Sequence, residues 1–181
     1  MYCWKCREKV LGAICASCTT IQPPPAVPDY FKILGLPRRY FLDGIGEAHR
    51  KISRKVHPDR FTRRSAVERR MSLQWTASIN TAKRVLEDPV SRARYLATGN
   101  PAPKEDNSLK LDPEFLEEVF ELQMEAMEDP QAAKVNAQQR YDELRSQTED
   151  IFRKWEEGTG QLNRVEENLA KMKYFSNLLS V

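Results

Sequence analysis

The sequence predicts an all-α chain in three parts: a small N-terminal tetracysteine metal knuckle, a helical hairpin, and a C-terminal three-helix bundle. Two observations carry the prediction. From Asp29 onward, apolar residues recur at spacings of three and four, the signature of amphipathic helices. Ahead of that, all 4 cysteines fall within the first eighteen residues as two C-x-x-C pairs. With 181 residues the chain has room for one large or two small domains besides the knuckle.

Residues 1–21 contain Cys3-Trp4-Lys5-Cys6 and Cys15-Ala16-Ser17-Cys18. Each pair can present two sulfurs from one tight turn, and a tetrahedral zinc ion takes four thiolates at about 2.3 Å. The short spacing favours structural zinc on Cys3, Cys6, Cys15 and Cys18. Disulfides, a redox C-x-x-C or an iron–sulfur cluster on the same thiolates are the alternatives. A segment this small has little core, so metal should decide whether it folds. Residues 22–28 (QPPPAVP) form a stiff, polyproline-like spacer.

Residues 29–99 read as a helical hairpin. Asp29 to Gly35 is a short helix presenting Tyr30, Phe31, Ile33 and Leu34. Ile45 to Val56 follows, with Ile45, Ala48, Ile52 and Val56 on one face and Arg50, Lys51, Arg54 and Lys55 on another. Asp43 is the expected N-cap. Pro58 lacks a backbone N–H and biases His57 out of helical geometry, leaving His57, Pro58, Asp59 and Arg60 at an exposed corner. Thr62 or Ser65 caps the next helix, whose seam is Met71, Trp75, Ile79, Ala82 and Leu86. Asp88-Pro89 should end it, with one further short turn over Arg92 to Leu96.

Residues 100–111 form a second linker and residues 112–181 the bundle. Asp112-Pro113-Glu114 is a strong helix start: a capping carboxylate, proline at the first helical position, and an acid in the first turn. The helix it opens carries two apolar stripes. Phe115, Val119, Leu122 and Ala126 form one; Leu116, Phe120, Met124 and Met127 form another, roughly 120° away. One stripe suffices to pack a bundle, so the second either meets a third helix or is exposed. The second helix should use Ala137, Tyr141, Leu144, Thr148, Ile151 and Trp155. After Gly158 and Gly160, the third should use Leu162, Val165, Leu169, Met172 and Leu179, with Tyr174 on the opposite side.

The formal net charge of +3 conceals a split. From Gly46 to Arg70 the balance is +6, and from Lys104 to Glu157 it is −9. Opposite surfaces imply two different partners, whereas a nucleic-acid binder favours one dominant basic patch. No apolar run approaches the roughly 18 residues of a membrane span, and no secretory signal is visible. A reducing compartment is expected: a bacterial cytoplasm, or the mitochondrial matrix for a mature form. Neither nucleic acid nor membrane is an expected partner.

DYFKILGL, the basic helix, HPDR and INTAKRVLEDPVSRARYL together resemble a J-domain. Asp29-Tyr30-Phe31, Gly35-Leu36-Pro37, Ile79-Asn80 and Arg92-Ala93-Arg94-Tyr95-Leu96 bring the chain closer to one branch, the HscB family of iron–sulfur co-chaperones. The resemblance implies docking on a DnaK-type chaperone (HscA-like, or its mitochondrial counterpart) through His57, Pro58, Asp59, Arg50, Lys51, Arg54, Lys55 and Arg60, and stimulation of its ATPase. Arg60 stands where the family often has Lys, which keeps the charge. The resemblance also implies that the bundle binds the scaffold protein IscU. Aligning EFLEEVFELQ and MKYFSNLL with the family places Leu116, Phe120, Glu121 and Tyr174 at that contact, with Met124 on the same stripe. Some relatives carry a tetracysteine segment of this kind and others lack it. The chain would then be no enzyme, since ATP chemistry belongs to the partner. A J-protein serving another client is the alternative, and a zinc-finger nucleic-acid binder a distant one.

Overall fold

The computed structural model describes residues 1–103 and 111–179. Part of the second linker, residues 104–110, lies outside them. The described residues contain seven α-helices and no strand, only two isolated β-bridges in the knuckle. They form two compact units, Met1–Arg92 and Ala93–Val181.

In the first unit, α1 (Tyr30–Leu34) is capped by the Asp29 carboxylate, which accepts from the N–H groups of Phe31 and Lys32. It ends at Gly35, whose φ of 70° suits a residue without Cβ. α2 is Ile45–Val56. Its cap is Gly44 (φ 74°) rather than Asp43: the left-handed turn puts the capping position one residue beyond the carboxylate, and no side chain bonds there. α3 (Ala66–Glu87) begins with a reciprocal capping box between Ser65 and Glu68. Its face of Ser72, Trp75, Ile79, Ala82, Val85 and Leu86 is buried.

The expected turn over Arg92 to Leu96 is instead a ten-residue helix, α4 (Pro89–Thr98). Asp88 and Pro89 do stop α3, but they also start α4. The Asp88 carboxylate accepts from Ser91 N at 2.7 Å, and proline is favoured at a first helical position.

The second unit is a bundle of α5 (Pro113–Glu128), α6 (Pro130–Glu156) and α7 (Val165–Leu179). Its core gathers Phe115, Val119, Leu122, Ala137 and Phe175. Two residues outside the expected seams are fully buried: Phe152 on α6 and Phe175 on α7. Ile151 and Trp155 are only half-buried, and Leu162 precedes α7. At about 100° per residue Phe152 lies roughly 40° from Thr148 and Ile151 roughly 60° away on the other flank, and the bundle buries the Phe152 flank. Phe175 meets Phe115 edge-to-face at 5.6 Å. Buried Thr148 and Asn168 satisfy each other, Asn168 Nδ2 donating to Thr148 Oγ1 at 3.2 Å. At Gly160 a Cβ would lie 2.9 Å from the Trp155 backbone nitrogen, so the return turn requires glycine.

Asp112 links the bundle's ends. Its carboxylate caps α5 and accepts from Lys171 Nζ at 2.8 Å. The Lys171 hydrogen bond, followed by that of the Phe115 N–H, holds the Asp112 carboxyl below its ordinary range. A carboxyl depressed on folding stabilises the fold above its unfolded pKa of about 3.9 and loses that contribution as pH falls through the lower folded value. Amide protection in α5 and α7, relative to intrinsic exchange at the same pH, should therefore fall as pH drops below about 4. Asp112→Asn should remove part of that acid response while weakening the bundle at neutral pH.

Candidate functional site

Three sites can be built from these elements, two in the first unit and one in the second. The His57 corner is held from beneath. Ser72 Oγ on α3 donates to the Val56 carbonyl at 2.6 Å, satisfying an orphan group at the end of α2. His49 Nε2 donates to Asn80 Oδ1 at 2.9 Å, tying α2 to α3. Pro58–Phe61 forms a 3-10 turn anchored by the buried ring of Phe61.

His57 itself caps that turn, its Nδ1 accepting from Asp59 N at 3.3 Å. The Asp59 carboxylate lies 3.5 Å from the same ring nitrogen. Fixed from below, the two side chains remain 55% and 85% exposed. Arg50, Lys51, Arg54, Lys55 and Arg60 are all exposed. Arg60 also reaches back to the Arg54 carbonyl at 3.4 Å. The result is a rigid, charged corner beside a cationic helix face, with no nucleophile arranged around the imidazole. Such a surface suits docking to an acidic protein face.

The second stripe of α5 is not used by the bundle. Leu116, Phe120 and Met124 are 47%, 62% and 47% exposed. Glu121 is exposed beside them. Tyr174 on α7 is 40% exposed and packs edge-to-face on Phe115 at 5.7 Å. Bulky apolar side chains held exposed on a helix face, rimmed by acids, offer area that a protein partner could bury.

The knuckle brings all four sulfurs within 4.8 Å of one another. The Cys3–Cys18 and Cys6–Cys15 separations are both 3.6 Å, close to the edge of about 3.8 Å that four thiolates 2.3 Å from one ion would have. None of the four is in a disulfide. The donor set therefore fits a tetrahedral metal ion.

Burial resists ionisation of Cys3, but the N–H groups of Cys6 and Lys5 and the neighbouring sulfurs more than offset it, bringing the thiol down to about 6. Thr20, through its hydroxyl and N–H, lowers Cys18. For Cys6 an N–H bond from Glu8 favours the thiolate, yet burial and the three other sulfurs push it up to about 12. A bound cation removes that mutual repulsion by supplying positive charge at the centre.

Two knuckle residues escaped the sequence reading. Thr20 is fully buried with Oγ1 3.3 Å from Cys18 Sγ. Gln22, expected to begin the spacer, is also fully buried and pairs with Ala13. The missed signal is a repeat at a shift of twelve. Arg7 N donates to the Cys3 carbonyl and Thr19 N to that of Cys15, at 3.0 and 2.9 Å, and Arg7 and Thr19 share positive φ values of 65° and 58°.

Comparisons with known proteins agree with this architecture. Residues 29–95 match the family model described as DnaJ domain. The chain is 32% identical to the mouse protein named iron–sulfur cluster co-chaperone protein HscB, over 97% of this chain and 79% of that one. It is 43% identical to a co-chaperone protein HscB homolog of Bordetella pertussis, over 53% of this chain and 58% of that one. The crystal structure of human co-chaperone protein HscB superposes with a TM-score of 0.79 at 25% identity, covering 99% of this chain and 95% of the human one. With its J-domain, its helical bundle and a likeness that spans nearly all of this chain, the chain belongs to the HscB family of iron–sulfur cluster co-chaperones.

Proposed function

We propose that the chain recruits a DnaK-type chaperone, HscA-like or mitochondrial, to the IscU scaffold and stimulates its ATPase during iron–sulfur cluster transfer. The division of labour follows the segments: knuckle 1–21, spacer 22–28, J-domain 29–99, linker 100–111 and client-binding bundle 112–181. His57, Pro58 and Asp59, with Arg50, Lys51, Arg54, Lys55 and Arg60, dock on the chaperone. Leu116, Phe120, Glu121, Met124 and Tyr174 take the scaffold. The observation that carries the reading is the exposed apolar stripe of α5, which the bundle's own core leaves free. No step of ATP chemistry is assigned to this chain, which acts as a regulator of the partner's hydrolysis. Single-turnover ATPase assays of the chaperone, with and without this protein and scaffold, test the reading. Synergistic stimulation by the two together is expected, and an unchanged rate contradicts it.

The metal reading is structural zinc on Cys3, Cys6, Cys15 and Cys18, supported by the sulfur separations. Four protein ligands close the tetrahedron, leaving no position for a substrate. Elemental analysis of the purified protein should find one zinc per chain; stoichiometric iron would contradict zinc. Metal removal should abolish amide protection throughout residues 1–21. Reduced cysteines are consistent with a bacterial cytoplasm or the mitochondrial matrix as the compartment.

A further inference from the structure

The two cysteine turns are one design built twice, and besides the first cysteine of each pair one position is buried in both copies yet holds a different residue in each. Cys3 N donates to the Glu8 carbonyl at 2.8 Å, and Cys15 N to that of Thr20 at 2.9 Å. Val10 N meets the Met1 carbonyl at 2.9 Å, and Gln22 N that of Ala13 at 2.8 Å. Val10 thus corresponds to Gln22. Val10 packs an apolar side chain against the sulfurs. Gln22 buries a polar one in the same role, and a buried amide must find partners.

It finds three. The Trp4 backbone N–H donates to Gln22 Oε1 at 3.2 Å. Gln22 Nε2 donates to the Thr20 carbonyl at 2.9 Å and to Cys3 Sγ at 3.3 Å. Trp4 N can only donate and the Thr20 carbonyl can only accept, so the amide has one possible orientation and its second N–H faces the sulfur. The backbone of the same residue leaves the knuckle. Its carbonyl accepts from Trp75 Nε1 on α3 at 2.7 Å. Trp75 is buried in the hairpin core, one turn beyond Ser72, whose hydroxyl holds the Val56 carbonyl just before His57.

We infer that Gln22 is an outer-sphere residue of the metal centre and the joint through which metal loading stabilises α3 beneath the His57 corner. The inference rests on reading the four thiolates as a metal site. An N–H aimed at a thiolate stabilises it as an anionic ligand and orients it. Metal binding then favours the conformation in which the Gln22 carbonyl meets Trp75, and by linkage the Trp75 bond strengthens metal binding in return.

The test uses the full-length chain. Metal affinity is measured by competition with a chromophoric chelator for wild type, Gln22→Leu, Gln22→Glu and Trp75→Phe. The thiolate-to-metal bands of the cobalt(II) forms are recorded alongside. Gln22→Leu should lower affinity about 10-fold or more and shift the cobalt bands, and Gln22→Glu, which sets an anion against the sulfur, should lower it further. Trp75→Phe should lower affinity while leaving the bands in place. Independently of any variant, chelation of wild type should accelerate amide exchange in α3 around Trp75. Wild-type affinity and spectrum in Gln22→Leu, or α3 exchange indifferent to metal, would overturn the inference. A wild-type chain that takes up no metal would instead remove the tetrathiolate reading on which it stands.

Discussion

His57→Ala is expected to abolish stimulation of the partner chaperone's ATPase while leaving affinity for the scaffold unchanged. The imidazole is the cap of the 3-10 turn through Asp59 N, and it is the group the turn presents to solvent. Removing it therefore deletes a contact and loosens the backbone that aims Asp59 and Arg60. The cost to the fold should be small, because the corner is held by Ser72 on the Val56 carbonyl and by the buried Phe61 ring, neither of which the mutation touches. Scaffold affinity is the control. The residues proposed to take the scaffold belong to α5 and α7, separate elements from the corner. Loss of both activities would contradict the assignment of two separate docking faces.

Leu116→Ala combined with Phe120→Ala is expected to weaken scaffold binding by about 2 kcal/mol or more, the range of interface hot spots. The stripe these residues form is exposed, whereas Phe115, Val119 and Leu122 on the opposite stripe of α5 are buried. Truncating the exposed stripe should thus leave the melting of the bundle nearly unchanged while removing the apolar anchors a partner would bury. By contrast Phe115→Ala should cost stability, because it opens a cavity beside Phe175. Equal affinities for wild type and the Leu116/Phe120 variant would sink the exposed-face assignment.

Where local chemistry decides structure, the sequence was informative. Asp112-Pro113 and Ser65 announced helix starts that the structure has, because capping depends only on adjacent residues. The two stripes of α5 were visible for the same reason, since helical spacing alone separates Phe115 from Leu116. Which stripe faces solvent was not, because that depends on where α6 and α7 cross. Phe152 and Phe175 stood outside the expected seams for this reason too: which flank of a helical stripe is buried is set by where its partner helices cross. Asp43 failed as a cap because Gly44 takes a left-handed turn that propensity does not announce.

The metal ligands were legible from spacing, but their surroundings were not. Thr20 and Gln22 read as an ordinary hydroxyl and the first residue of a proline-rich spacer. Only the fold shows both fully buried against the sulfurs. Gln22 gains its meaning from Trp75, 53 residues away, and no local pattern reports a bond of that range.

Calorimetric titration of IscU into the purified protein, beside a variant carrying Leu116→Ala, Phe120→Ala and Tyr174→Ala, addresses the proposed client most directly. Micromolar-range binding by the wild type, lost in the variant, is the expected result. Absence of binding by a wild type that still stimulates the chaperone's ATPase would contradict it, leaving a J-domain co-chaperone whose bundle serves another client.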